Sequence, residues 1–166
     1  MTDRPSYYVT TPIYYVNDVP HIGHAYTTLA SDVLARFKRL DGYDVMFLTG
    51  TDEHGQKVEK SAEKAGVDPQ AFCDKVSARF SDLAAAMNFS NDQFIRTTEE
   101  RHKKAVQHLW TRLVDKGYIY EDKYAGWYSV RDEAFYGEDE LIEGKDNEKL
   151  APTGAPVEWI EEPSFF

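Results

Sequence analysis

The stretch from Tyr7 to Gly50 constrains the fold most, because strand, helix and strand signals follow one another there with only one loop of any length between them. Tyr7-Tyr-Val-Thr-Thr11 is short, aromatic and β-branched, and Pro12 then removes a ladder donor, so a strand is expected to end there. From about Ile22 to Leu40 the apolar residues Ala25, Leu29, Val33, Phe37 and Leu40 recur at helical spacing, and Gly42 stands where a left-handed cap residue belongs. Asp44-Val-Met-Phe-Leu-Thr49 is a nearly continuous apolar run closed by Gly50, the pattern of a strand covered on both faces. Strand, crossover helix and parallel strand make a βαβ unit, right-handed on steric grounds.

Start and stop signals predict three more helices. One spans Gln56 to Ala65 and stops at Gly66; a second is capped by Asp68, has Pro69 in its first position and runs to about Met87. A candidate strand, Gln93 to Thr97, leads to the third, where Thr97 and Glu100 have capping-box spacing. That helix is expected to bury Val106, Leu109, Trp110, Leu113 and Val114 and to stop at Gly117. The alternation predicts an α/β fold with a mostly parallel, doubly wound sheet. After Gly117 come short aromatic segments, Tyr118 to Tyr120, Trp127 to Val130 and Ala134 to Tyr136, which read as small antiparallel strands. No internal repeat or low-complexity tract interrupts the chain.

Composition narrows the class. With 42% hydrophobic residues and 14% aromatics in 166 residues the chain has the means to build a core, and it has no apolar run long enough to span a bilayer. A single cysteine, Cys73, excludes an intramolecular disulfide and leaves too few thiolates for a cysteine-based zinc site. The start, Met1-Thr-Asp-Arg-Pro5, has no basic and apolar leader, so the reducing cytoplasm is the expected compartment. Residues 116–166 carry 13 acidic and 5 basic groups, most of the excess behind a net charge of −10. Such acidity argues against a general phosphate-backbone binder, though not against a nucleic-acid partner held by other residues. Two bulky aromatics, Phe165 and Phe166, end the sequence, and further residues are expected beyond them.

Two loops hold the residues capable of chemistry, Pro12 to His24 after the first strand and Gly50 to Gly55 after the second. Ligands of open parallel sheets bind beyond the carboxyl ends of the strands, so both loops should face one crevice. His21 and His24 are three apart at a helix start, where backbone amides and a dipole equivalent to about half a positive charge favour an anion. Two imidazole donors there suit a polyphosphate, and Gly23 would let a flat ring approach the backbone. The same pair also reads as solvated residues capping a helix. Asp52, Glu53 and His54 could accept an ammonium, bind a metal or supply a base, or they could simply form a turn with acids at a helix start; spacing does not choose. Ile13, Tyr14 and Tyr15 suit either an apolar pocket or the core, and Cys73, His102 and His108 read as packing or solvated residues.

The run Tyr8-Val-Thr-Thr-Pro-Ile-Tyr-Tyr-Val-Asn-Asp-Val-Pro-His-Ile-Gly-His24 resembles the first signature of class I aminoacyl-tRNA synthetases, and Thr49-Gly-Thr-Asp-Glu-His-Gly55 is similar to the methionine-specific members. The resemblance extends over essentially the whole chain. It implies the first half of a Rossmann-like catalytic domain over 1–115 and the start of a connective knuckle insertion over 116–166. It also implies ATP-dependent activation of methionine to methionyl-adenylate, with magnesium (Mg2+) accompanying ATP, and transfer to methionine tRNA. By the same pattern His21 and His24 contact the phosphates and stabilise charge, Gly23 lets adenine approach, Asp52 holds the methionine ammonium, and Ile13 and Tyr15 line its side-chain pocket. The family's second signature, Lys-Met-Ser-Lys-Ser, is absent, so this chain would hold half an active site and be inactive alone. Ser129 and Asp132 stand where a Cys-x-x-Cys pair of a zinc knuckle is expected, so no structural zinc is expected; packing of Trp127, Tyr128, Phe135 and Tyr136 would hold the knuckle instead. Competing expectations are another HxGH nucleotidyltransferase and a non-catalytic binding or regulatory module built on the synthetase fold.

Overall fold

Hydrophobic alternation along one strand organises the first part of the molecule. A computed structural model describes residues 4–144 and 148–166, and two compact units divide the chain, Met1–Ala105 and Val106–Phe166. In the first unit β3 (Asp44–Asp52) is the central strand. β1 (Ser6–Thr10) pairs with its first half, and β2 (Tyr14–Tyr15) with its end, Tyr14 opposite Thr51 and Tyr15 opposite Asp52. β4 (Gln93–Arg96) pairs with Leu48 to Thr51. Every pairing is parallel, as the βαβ pattern requires. At Gly50 a Cβ would stand 2.0 Å from the Ile95 carbonyl oxygen, so the close approach of β3 to β4 needs glycine.

Helices α1 (Ile22–Leu40), α2 (Gln56–Ala65) and α3 (Pro69–Ala86) connect these strands. Tyr14 and Thr51 share a sheet face by register; the Tyr14 hydroxyl hydrogen-bonds Thr28 of α1 at 2.8 Å, and Thr51 bonds Ser77 of α3 at 2.9 Å. Both helices therefore lie on one face. Val16, Val58, Cys73, Val76 and Phe80 form the core beneath them, with Tyr14, Phe72 and Phe94 packed against it.

This arrangement corrects the expectation of a strand covered on both faces. Phe47, Thr49 and Thr51 are buried on the face that meets α1 and α3, whereas Met46 on the alternate face is 46% exposed. The apolar stripe of α1 also differs from a core-facing one. Leu29, Val33, Phe37 and Leu40 are exposed, while Thr28, Asp32 and Ala35 are buried. Asp32 satisfies its burial by accepting from Ser90 N and Oγ at 2.6 Å each and from Arg36 Nε at 2.7 Å. Those bonds outweigh the burial that alone would raise its carboxyl, and hold it below its ordinary value.

The helix α4 (Glu100–Asp115) begins in the first unit and continues into the second. None of its residues is buried; Val106, Leu109, Trp110 and Val114 are exposed and Leu113 half-buried, contrary to the buried face its periodicity predicts. The Thr97 capping box is absent too, because the Thr97 hydroxyl accepts from the Glu53 amide at 2.9 Å instead. In the second unit β5 (Glu121–Ser129) pairs antiparallel with β6 (Ala134–Tyr136) and with β9 (Glu158–Phe165). Strand β9 carries no sequence prediction, since Glu161, Glu162 and Pro163 hide its period; as an edge strand it tolerates Pro163. A two-stranded pair, β7 (Ile142–Glu143) with β8 (Lys149–Leu150), completes it.

Candidate active site

The loop after β1 reaches α1 through a histidine cap. His21 is the N-cap residue in extended conformation, and its Nδ1 accepts from the Gly23 amide at 3.1 Å. His24 completes the reciprocal box, its Nδ1 accepting from the His21 amide at 3.1 Å. A nitrogen that accepts an N–H cannot carry the ring proton of neutral imidazole, so each ring holds its hydrogen on Nε2. The rings stack with centroids 3.9 Å apart, and His24 also packs edge-on against Tyr14 and Phe80. Burial, followed by repulsion from His21, lowers the His24 pKa below its ordinary value. Two Nε2–H donors are thus fixed side by side at the positive end of a five-turn helix. Gly23 has a local reason to be glycine, because a Cβ there would lie 2.9 Å from the His21 Cε1.

A cleft of about 500 Å³ opens in front of these rings, lined by Pro12, Ile13, Tyr14, Tyr15, Asn17, Asp18, Val19, His21 and His24. Five of the six site residues named from the sequence are therefore adjacent in space, Gly23 between the two histidines. Asp52 stands outside that lining but one strand over, paired with Tyr15 across β2 and β3 and half-buried. Cα partners of parallel strands project to one face, so Asp52 and Tyr15 share the side of the sheet opposite Tyr14 and Thr51. Lys57 Nζ lies 5.9 Å from the Tyr15 ring centre on the same rim.

The sequence cluster Asp52-Glu53-His54 splits into separate roles. Glu53 turns inward with a side chain of 0% exposure. Its Oε1 accepts from Thr51 Oγ1 and Arg96 Nε at 2.7 Å each; its Oε2 accepts from Arg96 Nη2 at 3.0 Å and from the Thr98 hydroxyl. Burial would raise this carboxyl, but the Arg96, Thr98 and Thr51 bonds together hold it below its ordinary value. His54 Nε2 lies 3.3 Å from the Thr97 carbonyl oxygen. Arg96 and Thr98 are the functional-looking residues that motif reading missed; they lie 43 and 45 positions along the chain, and no local pattern announces the pairing.

A family model described as tRNA synthetases class I (M) matches residues 7–149. The chain belongs to that family. Among its relatives, a methionine-tRNA ligase of Rickettsia typhi is 69% identical over 163 residues, 98% of this chain and 31% of the relative. One from Rhizobium meliloti is 54% identical over the full 166 residues, 32% of its own length. In structure, the chain resembles Mycobacterium tuberculosis methionyl-tRNA synthetase in complex with methionyl-adenylate, with a TM-score of 0.88 and 51% identity over 97% of this chain and 32% of that one. The chain thus spans about a third of the length of the relatives it matches.

In this class I synthetase chain the second unit holds its own polar hub. Asp132 Oδ2 accepts from Ser129 Oγ and Tyr136 Oη at 3.2 Å each and from the Thr153 hydroxyl, while Arg131 Nη2 donates to the Thr153 carbonyl at 2.9 Å. The Thr153 bond is the largest of the influences that lower the Asp132 pKa. Aromatic packing joins Tyr128 and Tyr124 to Phe135, at 4.8 and 4.7 Å, and Trp127 to Trp159 at 5.4 Å. No group of three or more His, Cys, Asp or Glu residues suited to a metal ion occurs among the described residues. None of the described helices is long and apolar enough to cross a membrane.

Proposed function

We propose that this chain is the part of a methionyl-tRNA synthetase that grips the phosphates of ATP and one side of methionine. The observation that carries the reading is the pair of Nε2–H donors held at the start of α1 over the cleft. A carboxylate oxygen of methionine attacks the α-phosphorus, the bond to the bridging oxygen breaks, and pyrophosphate leaves with the electron pair. Negative charge grows on the phosphate oxygens during this step, and two imidazole Nε2–H donors with a helix N-terminus oppose it without reorganising. Catalysis of this kind is positioning and electrostatics. ATP enters as its magnesium complex, and adenine lies against the backbone near Gly23.

Asp52 accepts the methionine ammonium, and Ile13 and Tyr15 bound the thioether side chain. A ribose hydroxyl at the 3′ end of methionine tRNA then attacks the adenylate carbonyl and AMP leaves; most tRNA contacts belong to residues outside this chain. We assign 1–115 to the first half of the nucleotide-binding domain and 116–166 to the start of the connective insertion, folded without structural zinc. Cytoplasm, where ATP and tRNA meet, is the proposed compartment. The test is methionine-dependent ATP/pyrophosphate exchange. The complete synthetase carrying these residues should be active and the 166-residue chain alone inactive; Asp52→Ala should chiefly raise the KM for methionine. A change confined to the ATP KM would reassign Asp52.

A further inference from the structure

The Glu53 carboxylate has no acceptor capacity left. An ionised carboxylate offers about four lone-pair positions. Here Thr51, Thr98 and both arms of the Arg96 fork fill them. Although it lies within the Asp-Glu-His motif, Glu53 therefore cannot take a substrate ammonium, a metal or a proton without dismantling the cluster. Its main chain is held as well. The amide donates to Thr97 Oγ1 at 2.9 Å, and the carbonyl accepts from Cys73 Sγ at 3.6 Å. Arg96, Thr97 and Thr98, three consecutive residues at the end of β4, each grip the same residue. Arg96 is steadied in turn by Asp74, 2.6 Å from its Nη2.

On the other side of Asp52, Thr51 is fully buried and bonded to both Ser77 and Glu53. Asp52 is thus flanked by two immobilised residues while its own side chain lies on the sheet face opposite Thr51, beside Tyr15. Burying a charge pair costs several kcal/mol of desolvation, and apolar residues would stabilise such a site equally well. What the pair supplies beyond stability is a fixed position for the strand end. We propose that Glu53 and Arg96, with Thr98, are positioning residues for methionine capture, locking the end of β3 so that Asp52 meets the substrate ammonium at one set place beside Tyr15. This rests on the reading of Asp52 as the ammonium partner.

The experiment uses the complete synthetase and measures KM for methionine and for ATP separately in the exchange reaction, for Glu53→Gln, Thr98→Val, Arg96→Lys and Asp52→Asn. Glu53→Gln should raise the methionine KM by about tenfold, and Thr98→Val, a milder lesion that keeps the ion pair, by roughly two- to fivefold, with the ATP KM changing less than about twofold. Acting through Asp52, Glu53→Gln should add little to Asp52→Asn in the double variant. Equal rises in both KM values, additive effects in that cycle, or unchanged methionine KM in Thr98→Val and Arg96→Lys where Glu53→Gln fails to fold, would each overturn the proposal. An Asp52→Asn enzyme with normal methionine KM would overturn the ammonium reading itself, and the positioning role with it. An effective Asp52→Asn beside a silent Glu53→Gln would overturn the positioning role alone.

Discussion

The two loops at the carboxyl ends of the sheet are built on opposite plans. In the first, Pro12 to His24, the chemical side chains are held by main-chain amides within three residues of themselves, and both histidines remain accessible to a ligand. In the second, Gly50 to Gly55, a buried carboxylate ties the loop to residues more than forty positions away. A local cap can present a donor but adds little to global stability. A buried ion pair does the reverse: it anchors the fold and touches no ligand. Side chains proposed to act on the phosphates and side chains that anchor the fold should therefore separate by loop, with Asp52 the one residue of the second loop proposed to meet substrate directly.

The largest separation is expected on removing the buried acid. Glu53→Ala leaves Arg96 with Asp74 as its one carboxylate partner among the described residues and takes an acceptor from the Thr51 and Thr98 hydroxyls, a lesion costing about 3 kcal/mol, to be read from denaturant unfolding. Loss of the His21 cap should cost about 1 kcal/mol in the same assay. A smaller loss for Glu53→Ala than for His21→Ala would break the contrast between the loops. Acid should act through the second loop as well. Glu53 has a folded pKa below its ordinary value, so it contributes stability above the ordinary carboxylate range, and that contribution disappears as pH falls through the lower folded value. Glu53→Gln should flatten this acid limb.

Catalysis should rank the loops the other way. His21→Asn in the complete synthetase should slow adenylate formation by roughly a hundredfold, about 3 kcal/mol of transition-state stabilisation, with unfolding barely changed. Single-turnover formation of adenylate measures it directly. An unchanged rate would remove the charge-stabilising role. Gly23→Ala is the intermediate case, since the added Cβ would press on the His21 ring at 2.9 Å and tilt its donor without removing it. A rate loss of about tenfold is expected, equivalent to about 1.4 kcal/mol, with the effect absent when His21 is already Asn.

The same division explains what could be read from the chain beforehand. The first loop and the helix it opens were legible because their determinants are local: His21 at the start of α1, the three-residue spacing to His24 and Gly42 past the helix end all report on neighbours in sequence. The polarity of α1 was not. Its apolar stripe is real, yet Thr28, Asp32 and Ala35 face the sheet, and Asp32 is there to accept from Ser90, 58 positions away. Thr97 and Glu100 have the spacing of a cap, but a competing donor, the Glu53 amide, claims the hydroxyl. Periodicity also takes for granted that apolar faces are covered. Met46 and Phe37 are exposed, and Trp110, although its ring meets Phe165 edge-on at 5.1 Å, is 43% exposed. Aromatic packing around Phe135 was legible by residue type, whereas the convergence of Ser129, Tyr136 and Thr153 on Asp132 depends on a turn brought back 21 residues later.

The smallest expected effect is one of reactivity, and it reports on the second loop alone. Cys73 sits in α3 against the Glu53 carbonyl, is 2% exposed, and has its thiol pushed up to about 11 by burial first and then by the Glu53 charge. The thiolate is the nucleophile, so at pH 8 only about one thiol in a thousand is reactive, and access to it is restricted as well. Labelling by a water-soluble disulfide reagent in the native protein should therefore be slow and should track opening of the clamp. His21→Asn, which alters the other loop, should leave the labelling rate unchanged, whereas Thr98→Val should raise it measurably without unfolding the chain. If both variants accelerated labelling equally, the two loops would be opening together, and the independence on which their comparison rests would fail.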